Sequence, residues 1–272
     1  MDLQSKNIGF IGGGEMAYAI AVGMKAGGIK PSQISVSNPS AGKFKRFQTE
    51  GMNTTHNNME IMDTCEIVLI CIKPQIFPVL VEELKSHPKR CENQLIISIV
   101  GGLVSETLEK VFDWARVIRT VPNTPCKVQE GILLYCKSKT STDEDMATVK
   151  SLFSACAECL VLPERLMDAG QAISGCGVAY IYTALDALAD GGVKMGLPRA
   201  TALTLAAKTC AGAGNMYLQT QQHPGVLKDA VTSPGGITIC ALHALDKGGF
   251  RAALIDAVEV ATNKSLEIGA KK

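Results

Sequence analysis

Apolar and polar positions change rhythm along the chain. In the first half, short β-branched runs alternate with stretches of helical period. Asn7 to Ile11 and Ile34 to Ser37 read as strands, and Met16 to Ala26 and Ala41 to Glu50 as helices. Ile67 to Ile72 and Leu95 to Val100 are apolar almost throughout, as expected of parallel strands covered on both faces. Val117 to Thr120 and Ile132 to Cys136 predict further strands. This βαβ rhythm predicts an α/β fold, a doubly wound parallel sheet of Rossmann type.

After about Leu162 the β-branched runs stop. Ala-rich helical stretches follow at residues 172–193, 200–218, 236–247 and 250–268. The expected boundary lies near Pro163, between a dinucleotide-binding domain (1–163) and an all-helical domain (164–272). Around Leu185 the helix offers Ala184, Ala187, Leu188 and Ala189 on more than one face. A subunit interface and burial within one chain both account for that pattern.

Composition narrows the function class. The chain has 272 residues, a net charge of +1 and 5% aromatics. That balance argues against nucleic acid and against an electrostatically held membrane surface. No run of 18 apolar residues exists, so no membrane-spanning helix is expected. Ten cysteines without regular spacing read as reduced thiols. Cys156-Ala-Glu-Cys159 has no second pair and no nearby His, so no metal site is expected. Nothing before the first strand resembles a signal or transit segment, so cytoplasm is the expected setting, with mitochondria the alternative.

The first strand runs into Gly12-Gly13-Gly14-Glu15-Met16-Ala17 and then a helix, a G-x-G-x-x-A in strand–turn–helix context. Gly12 permits the tight turn, Gly14 lets a diphosphate approach the backbone, and Ala17 allows helix and strand to pack closely. Ile11, Gly12, Gly14, Glu15 and Met16 are the candidate contacts. About 20 residues on, NAD sites place a carboxylate on the ribose. Here Ser37-Asn38-Pro39-Ser40 stands instead, with Lys43, Lys45 and Arg46 behind. Hydroxyl, amide and cationic groups at Ser37, Asn38 and beyond favour NADP, with NAD the alternative. The three cations read equally well as a solvated helix face. Cys71, Lys73 and Pro74 end one strand, Val100 and Gly101 the next, and Asn123 follows a third. Carboxyl ends of such strands line the ligand crevice. Pro74 as a strand stop and Asn123 as a turn residue between prolines are the plainer alternatives.

In the second half, Ser233-Pro234-Gly235-Gly236-Ile237-Thr238 opens a helical run. Free N–H groups at Gly235 and Gly236, with the hydroxyls of Ser233 and Thr238, make a receptor for a carboxylate. An ordinary helix start with Ser233 as its cap is the alternative.

Several segments together resemble the pyrroline-5-carboxylate reductase family, nearest its animal form. They are Ile8 to Gly12, Lys73-Pro74, Asn123-Thr124-Pro125, Ser174 to Tyr180, Ala184 to Leu197, Gln222 to Gly225, and Ser233 to Thr238 with Ala241-Leu242-His243. The resemblance implies a Rossmann domain, a helical dimerisation domain, and homodimers built into a ring, a decamer in the family. It implies NADPH-dependent reduction of 1-pyrroline-5-carboxylate to L-proline, the last step of proline biosynthesis. It implies an active site between the nicotinamide and the serine–proline–glycine loop, completed across the dimer. On that analogy Ser233 and the N–H groups near Gly235 and Gly236 hold the substrate carboxylate, Thr238 bonds the ring nitrogen, and Asn57 lies near the adenosine. Two departures stand out. Gln221 replaces a Glu found in some members, and Gly175-Cys176-Gly177-Val178 replaces the commoner G-S-G-P.

Hydride transfer to an imine requires a protonated nitrogen, and no acid lies within residues 233–238. Either the substrate arrives protonated or Thr238 relays a proton from water. His223 in a turn and His243 on a helix are not assigned catalysis. Two other readings fit the residues less well. A β-hydroxyacid-dehydrogenase-like enzyme needs a Lys on the long helix, where Val178 to Tyr182 has none. A non-catalytic NADP sensor would not need the intact loop.

Overall fold

The structure is a computed structural model and describes residues 3–87 and 91–270; the outermost ends of both expected domains lie outside them. The elements run β1 (Ile8–Ile11), α1 (Glu15–Ala26), β2 (Ile34–Ser37), α2 (Phe44–Thr49), β3 (Asn53–Thr55), α3 (Asn58–Thr64), β4 (Ile67–Ile70), α4 (Phe77–Ser86), β5 (Leu95–Ser98) and α5 (Ser105–Val111). They continue with β6 (Arg116–Pro122), β7 (Gly131–Lys137), α6 (Asp143–Phe153), β8 (Ala157–Val161) and α7 (Met167–Gln171). The helical series closes the chain: α8 (Gly177–Lys194), α9 (Arg199–Thr220), α10 (Pro224–Ala230), α11 (Ile237–Lys247) and α12 (Phe250–Ala270).

All eight strands form one sheet in the order β3-β2-β1-β4-β5-β6-β7-β8. The first six are parallel, which fits central strands with no exposed face: Ile8, Phe10, Ile67, Leu69 and Ile97, on β1, β4 and β5, are all fully buried. β7 departs from the expected all-parallel sheet, because it runs antiparallel to β6. A parallel return needs a crossover of a dozen or more residues. Only a short 3-10 turn, Thr124–Val128, joins these strands, so the chain folds straight back. β8 is again parallel to β7, reached through α6, whose Thr142 and Asp145 form a capping box.

Two apolar layers cover the sheet. One gathers Ile20, Met24, Phe47 and Phe153. The other gathers Ile61, Met62, Leu80 and Phe112. Strand order reverses at β1, flanked by β2 and β4, and this is where an open α/β sheet offers its crevice.

The chain forms two compact units, one of residues to Gly175 with those from Ala261 on, the other Cys176–Val260. The expected boundary at Pro163 lies at the end of β8, ahead of this division. Within the helical unit, Ala189, Ala202 and Ala206 are buried. A Cβ on Gly192 would lie 3.2 Å from that of Ala202, so small residues set the close approach of α8 and α9. Tyr180 OH donates to Ala257 O at 3.2 Å, tying α8 to α12. The unit also exposes Ile181, Tyr182, Leu188, Met195, Leu205 and Leu218, each by 52% or more. So much apolar surface marks an interaction face.

The continuous helical stretch 164–194 reaches a mean hydropathy of 1.3 in one 18-residue window, long and apolar enough by composition to cross a membrane. The expectation of no such helix looked for an unbroken apolar run, whereas here Ala, Ile, Val and Leu raise the average while Gly, Ser and Asp interrupt the run. The same property is expected of a helix that packs against a partner subunit.

Candidate active site

The glycine turn sits at the carboxyl end of β1. Gly12 adopts φ +103°, and a Cβ there would lie 2.5 Å from Cys71 O, so the position admits only glycine. Its N–H donates to Ser37 O at 2.9 Å, joining the turn to the end of β2. Gly14 begins α1 with no side-chain cap, and a Cβ added to it would meet nothing within 4 Å. The backbone is therefore open to a ligand where the N–H groups of Glu15 and Met16 start the helix. Ala17 is fully buried against the core, as close packing of α1 on the sheet requires. An open, uncapped helix start behind a tight glycine turn fits a dinucleotide diphosphate.

The other candidates lie along the same edge of the sheet or in the loops beyond it. Cys71 follows β4, its N–H bonded to Ile11 O at 2.8 Å. Lys73 is exposed and begins the 3-10 turn Pro74–Ile76. Val100 is buried, with its N–H on Ser98 Oγ at 3.2 Å, and Gly101 follows it half-buried. Asn57 is exposed and caps α3 by accepting from Met59 N at 2.9 Å.

Three side chains suggested for the cofactor are engaged by the fold itself. The buried Ser37 hydroxyl lies between Phe10 O (3.2 Å) and Asn58 Oδ1 (2.7 Å). Asn38 Oδ1 accepts from Gly13 N at 3.2 Å while its Nδ2 donates to Ser40 O at 2.9 Å. Asn123 Oδ1 accepts from Ile132 N at 2.9 Å and its Nδ2 donates to Ser174 O at 3.0 Å. All three shape the loops that line the crevice.

Two charged groupings escaped the sequence reading. At the turn, Glu15 binds Arg46 and, at 2.8 Å, Lys127. Hydrogen bonds from Lys127 and then Arg46 hold its carboxyl down at about 2. Behind the sheet, the buried Arg119 on β6 reaches Glu164 Oε1 at 2.7 Å and Asp168 Oδ1 at 3.1 Å. Burial raises the Glu164 carboxyl, but donors from Cys136, Ser105 and Arg119 outweigh it and leave the group below its ordinary value. The Cys136 thiol is pushed up to about 12, by burial first and Glu164 second. An arginine inside an apolar strand was the available signal, since a buried charge requires partners.

The loop of the helical unit is a type II turn. Pro234 and Gly235 are its central residues, Gly235 has φ +67°, and Gly236 N donates to Ser233 O at 3.0 Å. Gly236 begins α11 without a side-chain cap, contrary to a plain capping role for Ser233. A Cβ on Gly236 would lie 2.3 Å from Ser233 Oγ, so glycine is required for the serine to fold over the turn. Among the described residues, neither the Ser233 nor the Thr238 hydroxyl has a hydrogen-bond partner. Uncapped N–H groups with two free hydroxyls suit a carboxylate and one further acceptor or donor. His223 caps α10, its Nδ1 accepting from Gly225 N at 3.1 Å, and Gln221 closes α9 in a left-handed conformation. Neither reads as part of the chemistry. A cavity of ≈ 540 Å³ lies at the opposite ends of the strands, beside Lys6, Glu66, Arg116 and Asp145. Its charges pair with each other, Lys6 with Glu66 and Arg116 with Asp145.

Comparison with known proteins adds to this geometry. Residues 164–268 match the model of the family described as pyrroline-5-carboxylate reductase dimerisation, and residues 7–102 match NADP oxidoreductase, coenzyme F420-dependent. The Xenopus laevis protein named pyrroline-5-carboxylate reductase 3 is 40% identical over 97% of this chain and 96% of its own. The Arabidopsis thaliana pyrroline-5-carboxylate reductase is 41% identical over 97% and 96%. The crystal structure of Plasmodium falciparum pyrroline carboxylate reductase with NADP bound superposes with a TM-score of 0.87 at 34% identity, covering 98% of this chain and 99% of that one.

Proposed function

The chain belongs to the pyrroline-5-carboxylate reductase family, and from that premise we propose that it reduces 1-pyrroline-5-carboxylate to L-proline, the closing step of proline biosynthesis, with NADPH as reductant. One structural observation supports the substrate half of this reading above all others. The loop 233–238 presents a helix start without a cap and two hydroxyls without partners among the described residues.

The roles follow from the chemistry of each group. The Gly235 N–H and the Ser233 hydroxyl bind the substrate carboxylate and fix the ring, whereas the Gly236 N–H, expected to be free, is already given to Ser233 O at 3.0 Å and closes the turn. Thr238 on the first turn of α11 bonds the ring nitrogen. No ionisable side chain lies within the loop, so the proton on that nitrogen arrives with the substrate or passes through the Thr238 hydroxyl from water. Gly12, Gly14 and the first N–H groups of α1 at Glu15 and Met16 hold the cofactor diphosphate. Ile11, Cys71, Lys73, Pro74, Val100 and Gly101 line its path along the strand ends, and Asn57 stands toward the adenosine. When bound, NADPH supplies the hydride to the imine carbon. Ser37, Asn38 and Asn123 serve by holding the surrounding loops in place.

The dimerisation segment makes the protein a homo-oligomer, and the exposed apolar helix faces are the surface that such an assembly buries. By family resemblance the proposal extends to a decamer of five dimers, without membrane or nucleic acid, in a compartment that keeps ten cysteines reduced.

An absorbance assay decides the function. NADPH consumption with pyrroline-5-carboxylate, and none with NADP and 2-hydroxy acids, is the expected result. Turnover of the hydroxy acids alone would support the dehydrogenase reading, and no turnover with either would support a sensor. Light scattering at fixed concentration reads the size of the assembly.

A further inference from the structure

The end of β2 offers polar groups for a phosphate on the adenosine ribose, but the fold has already engaged the Ser37 hydroxyl and both ends of the Asn38 amide. Lys43 and Lys45 are exposed. Arg46 is different. Its guanidinium carbon lies 4.8 Å from the centre of the Tyr18 ring and 5.3 Å from that of Phe47. Its Nη2 donates to Gly13 O at 2.7 Å and its Nη1 to Glu15. This arginine is held in place, by ring faces, a backbone carbonyl and a carboxylate, directly beside the glycine turn.

We propose that Arg46 is the residue by which this chain distinguishes NADPH from NADH, its guanidinium receiving the ribose 2′-phosphate while Glu15 holds it beside the turn. The inference rests on the dinucleotide reading above and names the specificity determinant of that same site.

Three arguments carry it. First, a guanidinium has five N–H donors, and the bonds named here use two of them. Nε is buried and has no partner among the described residues. That buried atom is closed to a ligand, but among the described residues nothing takes the second N–H of Nη1 or of Nη2, and this open edge of the fork suits a phosphate oxyanion. Second, the rings and Gly13 O have already restricted its rotamers, so little side-chain entropy remains to be lost on binding. Third, the local charge is favourable despite the acid. Arg46 and Lys127 contribute two positive charges and Glu15 one negative charge, leaving one net positive charge at the turn. A 2′-phosphate gains from that field, and the 2′-hydroxyl of NADH gains much less.

Fluorescence titration of the full-length protein with NADPH and NADH, without substrate, tests this directly. R46Q should raise the Kd for NADPH by about ten- to hundredfold, the range of a hydrogen bond to a charged group. The Kd for NADH should stay within about threefold, since NADH lacks that charged partner. R46K keeps the charge but loses the fork, so it should fall between wild type and R46Q. It also serves if R46Q folds poorly, with circular dichroism as the check. Adenosine 2′,5′-bisphosphate should displace NADPH better than 5′-AMP from wild type, and R46Q should erase that advantage. Equal weakening of both dinucleotides in R46Q would reduce Arg46 to a support for the turn and overturn the inference. A wild type that binds NADH as tightly as NADPH would overturn it too, with the dinucleotide site left standing. A wild type that binds neither would sink the site and the inference together.

Discussion

The hydroxyl of Ser265 donates to Asp168 Oδ1 at 2.6 Å, joining the second half of α12 to α7 across 97 residues of sequence. The same carboxylate oxygen receives Arg119 Nη2, and Arg119 is only 2% exposed. Within the sheet unit this cluster fastens the returning end of the chain to β6. S265A removes one bond to a charged acceptor and should cost about 1.5–3 kcal/mol. R119M leaves Asp168 and Glu164 without their cation in a buried setting and should cost about 3–5 kcal/mol. Denaturant titration at fixed protein concentration measures both, since oligomer dissociation also moves the midpoint. A loss below that of S265A would show that the arginine carries no structural load.

The same cluster gives stability a pH dependence. The folded Glu164 carboxyl lies below its ordinary value of 4.5, and the stabilisation that follows is complete above that value. It disappears as pH falls through the lower folded value, because protonation then favours the unfolded chain. Stability should therefore hold down to about pH 4.5 and decline below it. Other carboxylates decline as well, so the informative quantity is the difference from E164Q. That variant should be less stable at neutral pH and show a shallower acid slope. Parallel slopes would remove Glu164 from the acid response.

At the glycine turn, G12A forces a Cβ to 2.5 Å from Cys71 O in a conformation of φ +103°. Relief requires β1 and the segment after β4 to move apart at the dinucleotide crevice. Backbone strain of this kind costs about 1–3 kcal/mol. NADPH affinity should fall with it, as read by fluorescence titration. A variant with wild-type affinity and midpoint would mean that the turn has room the geometry denies.

What could be read beforehand follows from how much each element buries. β1, β4 and β5 were legible because both their faces are covered and their sequences are correspondingly apolar, and β2 through its alternating Ile34-Ser35-Val36-Ser37. β3, with its Asn53-Thr54-Thr55, carries no apolar run, and β8, with Leu160 and Val161 exposed, has only a short one; the two lie at the edges of the sheet. The short helix α10 is almost wholly exposed and lacks periodicity for the same reason. Within the site, the two glycine loops were legible because each needs a residue type that few other positions need. Ser37, Asn38 and Asn123 pointed to the right region, but sequence cannot show that part of their hydrogen-bonding capacity is spent on the fold. Arg46 and Glu15 are 31 residues apart, and only folding reveals their pairing.

The substrate loop supports the final prediction. Thr238 lies half-buried on the first turn of α11, in a unit other than the one that carries the glycine turn. A hydroxyl that bonds or protonates the ring nitrogen acts on the chemical step, whereas cofactor affinity depends on the other unit. T238A should lower kcat by about a hundredfold, as loss of proton delivery does, with the Kd for NADPH unchanged. T238S keeps the hydroxyl and should restore most of the rate, an outcome that a packing role for the threonine methyl would not produce. S233A should act differently, raising KM for pyrroline-5-carboxylate more than it lowers kcat, because a carboxylate anchor is used in the ground state and the transition state alike. Steady-state kinetics of the three variants separate these roles. Equal kcat in T238A and wild type would take the hydroxyl out of the reaction and leave protonation to the substrate itself.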